Sequence, residues 1–318
     1  MIIIKYRGGL GNQMYQYAMK AALMAQFPNQ NFKDDISHYK LLKEHNGFEL
    51  DRYFDIEFDF ARKKDIKKVY NGYTPGVLVN ILPSFIRKKI VYKYQHYYRK
   101  ISDKIHPRRI KTTLEEPSIE TTDFSFLESG DWYVSGMWQS LKWFDAYREI
   151  LLDKFKWKVC LDETDEAICR KLESGEFVAV HVRGGDYINN GLNNYELCTQ
   201  KYYLKAIESF GCSSPSIYVF TDDIEYARSM FDGVDSIKIE GFISHHVSES
   251  VKDMYMLSRA KKLVTANSTF SFWGAYLNRN ESAEIVAPKY AFHNGKEYIK
   301  FNYRENWTIL NNERELQC

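Results

Sequence analysis

After about residue 160 the chain settles into a regular alternation. The short apolar runs FVAVHV (177–182), SIYVFT (216–221), SIKI (236–239), KLVTA (262–266) and EIVAP (284–288) read as buried strands. Stretches of helical periodicity at 164–173, 200–210, 224–231, 251–260 and 270–278 alternate with them. Strands that alternate with helices pair in parallel and form a sheet covered on both faces. This half is therefore expected to be a Rossmann-like α/β domain. The first half opens with one strand, a glycine loop and a helix. It then becomes irregular and rich in Lys and Tyr, with breakers at Pro75-Gly76, Pro83, Pro107 and Pro117. With 318 residues, 44% of them apolar, the chain can fill two domain cores. The expected division is 1–158 and 159–318, with the option for the last residues to pack back on the first domain.

Five cysteines, an odd number with no CxxC pair, suit a reduced compartment. No secretory signal opens the chain and no run of some 18 uncharged apolar residues occurs in it, so a cytoplasmic protein is expected. The net charge of +2 hides an uneven distribution. Between Arg87 and Lys111 lie ten Lys or Arg against one acid, Asp103, interleaved with Tyr92, Tyr94, Tyr97 and Tyr98. Such a patch suits an anionic membrane surface or is a solvated helical face; no nucleic-acid motif accompanies it.

Ligands of open α/β sheets sit beyond the carboxyl ends of the strands. The first strand of the second half ends in HVRGGDY. His181 and Arg183, two apart, share a face at the mouth of the sheet, and two glycines let a ligand approach the backbone. A guanidinium fork grips phosphate bidentately. Asp186 lies within reach to orient Arg183, or to make a purely structural ion pair with it. The next strand ends in TDD. Asp222-Asp223 lacks a third carboxylate or a nearby His, which argues against a metal. One acid is expected to cap the helix at 224, leaving the other to accept hydrogen bonds from guanine or a ribose. In NSTFSFWGAYL, Asn267, Ser268 and Thr269 cap a helix whose N-terminus suits an anion. Capping explains any one of these residues. Three strand ends with ligand-type groups point instead to a nucleoside diphosphate bound without a metal.

The opening loop, GGLGNQ, lacks the full dinucleotide fingerprint. Gly9 and Gly11 are followed by Met14, too bulky where helix and strand must approach closely, although Asp34 and Asp35 lie near the usual acid spacing. Asn12 and Gln13 offer amides suited to sugar hydroxyls.

GGLGNQMYQYA, HVRGGDY, VFTDD and ANSTFSFWGAYL occur in this order across nearly the whole chain. Together they resemble the bacterial α-1,2-fucosyltransferases of glycosyltransferase family 11. The resemblance implies a GT-B fold, two Rossmann-like domains facing a cleft. It implies GDP-β-L-fucose as donor, inversion at the anomeric carbon, no metal or other cofactor, and an oligosaccharide or lipid-linked acceptor ending in a galactose-type sugar. By the same resemblance Arg183 holds the diphosphate, and His181 and Asp222 or Asp223 contact the nucleoside. Ser268, Thr269 and Ser271 help bind phosphate, and Asn267, Gly9, Gly11 and Gln13 lie on the donor side. Related protein O-fucosyltransferases imply that Asn12 faces the reacting sugar. Asp186 is a candidate base. One position departs from the family pattern H-x-R-R-G-D: the second Arg is Gly184, which keeps open a related donor such as GDP-colitose. From a different class, a nucleotide-dependent oxidoreductase using the first loop is the alternative.

Overall fold

The first strand, β1 (Ile2–Lys5), is apolar and almost wholly buried, and a sheet grows on both of its edges. In this computed structural model β1 pairs in parallel with β2 (Phe32–Asp35) on one side and β4 (Trp132–Ser135) on the other. β3 (Thr113–Glu115) adds beyond β4, giving the order β2-β1-β4-β3. The structure describes residues 1–42, 45–70, 83, 86, 89–90, 113–115, 123–185, 196–212, 214–246, 249–291 and 303–312. Asp186 and nearly all of the basic stretch 87–111 lie outside the described residues. The chain forms two units, Met1–Lys156 and Trp157–Cys318.

In the first unit the 17-residue helix α1 (Leu10–Gln26) is buried along most of its length, polar residues included. Gln13, Gln16 and Lys20 fall at helical spacing on it, so they share a face. Lys20 Nζ lies 2.8 Å from both oxygens of Asp34. Tyr6 donates to the same carboxylate at 3.0 Å, and the Asp59 backbone N–H at 3.1 Å. Burial raises the Asp34 pKa, and Lys20 opposes the rise. On β2, Asp35 accepts from the Tyr133 hydroxyl at 2.7 Å. The two acids at dinucleotide-type spacing are thus both engaged by their own unit.

The second unit opens with α2 (Glu163–Ser174) and carries a six-stranded parallel sheet. Its strands are β5 (Phe177–Val182), β6 (Ser216–Thr221), β7 (Lys238–Ile243), β8 (Lys262–Val264), β9 (Glu284–Pro288) and β10 (Thr308–Leu310), in the order β10-β9-β8-β5-β6-β7. Numbered within the unit, this is the doubly wound order 3-2-1-4-5-6. Val178, Val180 and Val182 point to one side of β5 and pack with Tyr202, Tyr203, Ala206 and Ile207 of α3 (Gln200–Glu208). The last strand belongs to this unit's sheet. The strand expected at 236–239 runs instead from Lys238 to Ile243. As an edge strand it needs no continuous apolar run, and its Lys238 and Glu240 pair at 2.7 Å.

Among the described residues no helix is long and apolar enough to cross a membrane. Cys160, Cys169, Cys198 and Cys212 are free thiols.

Candidate active site

In a doubly wound sheet the chain leaves in opposite directions from two neighbouring strands, and a crevice opens at their carboxyl ends. In the second unit those strands are β5 and β8, paired through Val180 and Val264. The first turn of α4 (Thr269–Tyr276), which follows β8, therefore stands beside the end of β5. The Phe270 ring stacks on His181, with centroids 5.7 Å apart. His181 is buried, and its Nδ1 makes no hydrogen bond among the described residues. Burial, aided by the Arg183 charge, pushes its pKa down to about 3, so the ring is neutral.

Arg183 Nη1 contacts Asp222 Oδ2 at 2.9 Å, with about a quarter of each side chain exposed. The other Asp222 oxygen accepts from the Gly184 N–H at 3.0 Å. Asp222 thus braces Arg183, and the acid expected to be left over already accepts from a guanidinium and a backbone N–H. Asp223 takes the capping role, accepting from the Tyr226 N–H at 3.0 Å.

The two glycines after Arg183 are matters of space. A Cβ on Gly184 would lie 2.5 Å from Cδ1 of the Tyr226 ring, and one on Gly185 would collide with Asp222 Oδ2. Gly184 does not adopt a positive φ, so no special backbone angle is involved. The volume where a second arginine would begin is filled by Tyr226.

The residues expected to serve phosphate divide into two groups. Asn267 is buried and donates to the carbonyls of Glu196 and Ala291, clipping three segments together. Ser271, fully buried, donates to the Ala266 carbonyl at 3.2 Å. These two side chains are scaffold, because their polar groups are spent inward. Ser268 caps α4 by accepting from the Phe270 N–H at 3.2 Å. Thr269 is partly exposed at the first helical position, where N–H groups lack helical acceptors.

The first unit has its own reversal point between β1 and β4. Gly8 adopts φ +81°, and a Cβ there would lie 2.6 Å from Asn12 Nδ2, so only glycine fits. Gly9 precedes α1, and Gly11 is buried in its first turn. The Gln13 amide donates to the carbonyls of Gly8 (3.1 Å) and Gly47 (2.9 Å) and accepts from the Glu49 N–H (2.8 Å). It is a clamp, not a sugar contact. Asn12 is partly exposed and accepts from Gln139 Nε2 at 2.6 Å, which leaves its NH2 group to donate. Gln139 follows Trp138, a buried residue held at φ +57° in the loop after β4. Sequence reasoning missed Gln139 and Tyr226, since each acquires its role only through a partner distant in the chain.

A third polar cluster also escaped notice. His245 Nδ1 lies 2.5 Å from Asp253 and Nε2 lies 3.2 Å from Asp165, and these carboxylates raise its pKa. Among the described residues no group of three or more His, Cys, Asp or Glu side chains is placed to hold a metal.

An arginine braced at one strand end and a helix N-terminus at its neighbour furnish the crevice of the second unit for an anionic ligand. The chain belongs to glycosyltransferase family 11, whose profile matches residues 1–311. It is 28% identical over 301 residues to the alpha-1,2-colitosyltransferase of Escherichia coli, covering 91% of each chain. It is 25% identical over 304 residues to the O-antigen biosynthesis glycosyltransferase WbnK of Escherichia coli, covering 89% of this chain and 92% of that one. The fucosyltransferase NodZ from Bradyrhizobium superposes with a TM-score of 0.47 at 13% identity, covering 86% of this chain and 91% of that one.

Proposed function

We propose that the protein transfers a 6-deoxy-L-sugar, with inversion, from its GDP derivative to the 2-hydroxyl of a galactose-type residue during O-antigen or capsule synthesis. GDP-β-L-fucose is the donor that the family resemblance implies. Two observations favour GDP-colitose as a second reading: the similarity to a colitosyltransferase and the Tyr226 ring where the family pattern has a guanidinium.

What carries the reading is Arg183 just beyond the end of β5 and the first turn of α4 after the neighbouring strand β8, where Phe270 stacks on His181. Both devices stabilise the negative charge that develops on a departing diphosphate. Asp222 fixes the guanidinium, so it need not reorganise as charge develops. The neutral His181, stacked on Phe270, offers an unspent ring nitrogen to a nucleoside. Because an arginine and a helix terminus supply the positive charge, the reaction needs no metal. In the other unit the Asn12 NH2 group is left to donate to a sugar hydroxyl. The enzyme works in the cytoplasm, where the basic stretch 87–111 holds it against the anionic inner leaflet near a lipid-linked acceptor.

Thermal-shift measurements with GDP, UDP and NAD test the nucleotide, since a ligand bound only by the native state raises Tm. GDP is expected to stabilise the protein and NAD to leave it unchanged. GDP-fucose and GDP-colitose are then compared in transfer to galactosides with excess EDTA present. Turnover that needs added manganese would contradict the metal-free reading.

A further inference from the structure

We infer that Arg7 is an anion-recognition residue of the first unit, receiving a carboxylate or phosphate carried by the acceptor. The inference rests on the glycosyltransferase reading. That reading gives the anion crevice of the second unit to the nucleotide, which leaves an anion receptor in the first unit to the other substrate.

Arg7 stands just beyond the end of β1, at the reversal point between β1 and β4 where a crevice opens. One buried side chain holds its backbone there. The Gln16 amide of α1 accepts from the Arg7 N–H at 3.0 Å and donates to the Arg7 carbonyl at 3.1 Å. The same NH2 group reaches the carbonyl of Gly136, the residue after β4, at 3.3 Å. Gln16 is fully buried and takes the place of a neighbouring strand where the two real strands part. An arginine held in this way is preorganised for a ligand, because its backbone has little freedom left to lose.

Alternation along the strand sets the side that Arg7 presents. Tyr6 packs on Phe48 and Phe58. Ile3 and Lys5 belong to the opposite face, Ile3 packed with Ile66, Val69 and Tyr133, and Lys5 6.0 Å from the centre of the Tyr70 ring. Arg7 continues that row, so the sheet separates it from the Lys20–Asp34 pair beside Tyr6. Asp35 is spent on the Tyr133 hydroxyl and the Ser37 N–H, Glu49 is buried and accepts from Asn46, and His38 is buried with its ring edge-on to Tyr39.

Nothing in the described fold answers this guanidinium. Arg148, Arg183 and Arg259 each lie against a carboxylate. Arg7 is half-buried, its Nε is buried without a hydrogen bond, and no acid pairs with it among the described residues. A desolvated N–H without an acceptor is costly, and an anion that supplies one recovers that cost. The planar fork matches the two oxygens of a carboxylate or a phosphate.

The test compares wild type, Arg7→Gln and Arg7→Lys with GDP present at saturation, so that the second unit's crevice is filled. Calorimetry measures binding of galactose 1-phosphate, a galactosyl glucuronide and methyl galactoside, which carry a phosphate, a carboxylate and no charge. Wild type is expected to bind an anionic probe about tenfold to a hundredfold more tightly than the neutral one. Arg7→Gln should remove the preference and Arg7→Lys keep part of it, with GDP affinity and Tm unchanged in both. Which anionic probe is preferred tells an acidic glycan from a phosphate-linked one. Equal binding of the three probes by wild type, or a preference that survives Arg7→Gln, overturns the proposal. Loss of GDP affinity in Arg7→Gln also overturns it, placing the residue on the donor. So does a Glu44→Gln variant that binds the anionic probes more tightly than wild type, because that acid, outside the described residues, would then be the partner of Arg7. A wild type that shows the preference but transfers no GDP-sugar overturns the glycosyltransferase reading and leaves the anion site standing.

Discussion

The two reversal points of the molecule are built alike and furnished in opposite ways. In each, a glycine turn follows the leading strand and a helix starts beside it. In the first unit the buried charges cancel one another: Lys20 against Asp34, with Tyr6 and the Asp59 N–H completing the carboxylate's contacts. At its mouth stand the Asn12 and Gln139 amides and the His45 imidazole. In the second unit the charged groups sit partly exposed at the mouth, with Arg183 held by Asp222 at the end of one strand and the capped N-terminus of α4 at the end of its neighbour. Internal pairing makes a rigid scaffold that can face uncharged hydroxyls. Exposed charge beside a helix terminus makes a site for an anion. The same sheet geometry thus serves two chemistries, depending on where the charge is spent.

The contrast breaks most severely at Lys20. Lys20→Met leaves a buried carboxylate without its cation, which costs about 3–5 kcal/mol. Urea unfolding should show that loss, while GDP affinity per folded molecule stays unchanged. Arg183 gives the converse result. Both Arg183→Ala and Arg183→Lys should cut kcat by about a hundredfold, roughly 3 kcal/mol, because Lys lacks the fork geometry. Unfolding free energy should scarcely move. Near-normal turnover in the Lys variant would show that charge alone suffices.

Gly184 tests the packing beneath the anion site. Placing Arg directly after Arg183 suggests a side chain free to reach the sugar or the acceptor, with GDP binding untouched. The Tyr226 ring, 2.5 Å from a Cβ at that position, predicts overpacking instead. Gly184→Arg should cost about 1–3 kcal/mol and weaken GDP binding by disturbing the Gly184–Asp222 hydrogen bond. Adding Tyr226→Ala should restore much of both. A single variant as stable as wild type would mean that the ring swings aside freely.

Two histidines sharpen the comparison through pH. His181 has its folded pKa depressed to about 3 from 6.5. The unfolded chain therefore takes up a proton that the native state refuses. Stability present above 6.5 drains away as pH falls towards 3, by at most about 1.4 kcal/mol per pH unit. His245 is shifted the other way by Asp253 and Asp165, with Lys252, Glu249 and Asp162 nearby. Its contribution is full below the ordinary imidazole value and is lost as pH rises through the raised one. His181→Phe should flatten the acid limb of the stability profile, and His245→Asn the alkaline limb.

The smallest effect per residue belongs to the basic stretch. Binding to anionic vesicles at low salt should weaken by about 1 kcal/mol for each Lys or Arg neutralised between 87 and 111.

Much of the second unit is legible in the sequence, because buried parallel strands must be apolar throughout and their helices must keep a 3.6-residue period. β5, β6 and β9 occupy the expected residues. β2 and β3 did not announce themselves: FKDD and TLE are short and mostly polar, and they become strands because β1 and β4 offer them edges. Local chemistry also reveals which positions bear ligand-type side chains, since glycines, amides and acids after strands are rare enough to notice. It does not reveal which of them face outward. Asn267, Ser268, Thr269 and Ser271 read alike, yet two are spent on carbonyls, one on the cap, and one stands at the helix mouth. Nor could spacing tell that Asp222 braces Arg183, that Tyr226 fills the place of a missing arginine, or that Gln13 draws His45 over Gly9. Those facts depend on hydrogen bonds and contacts between residues tens of positions apart, and only folding brings such partners within reach.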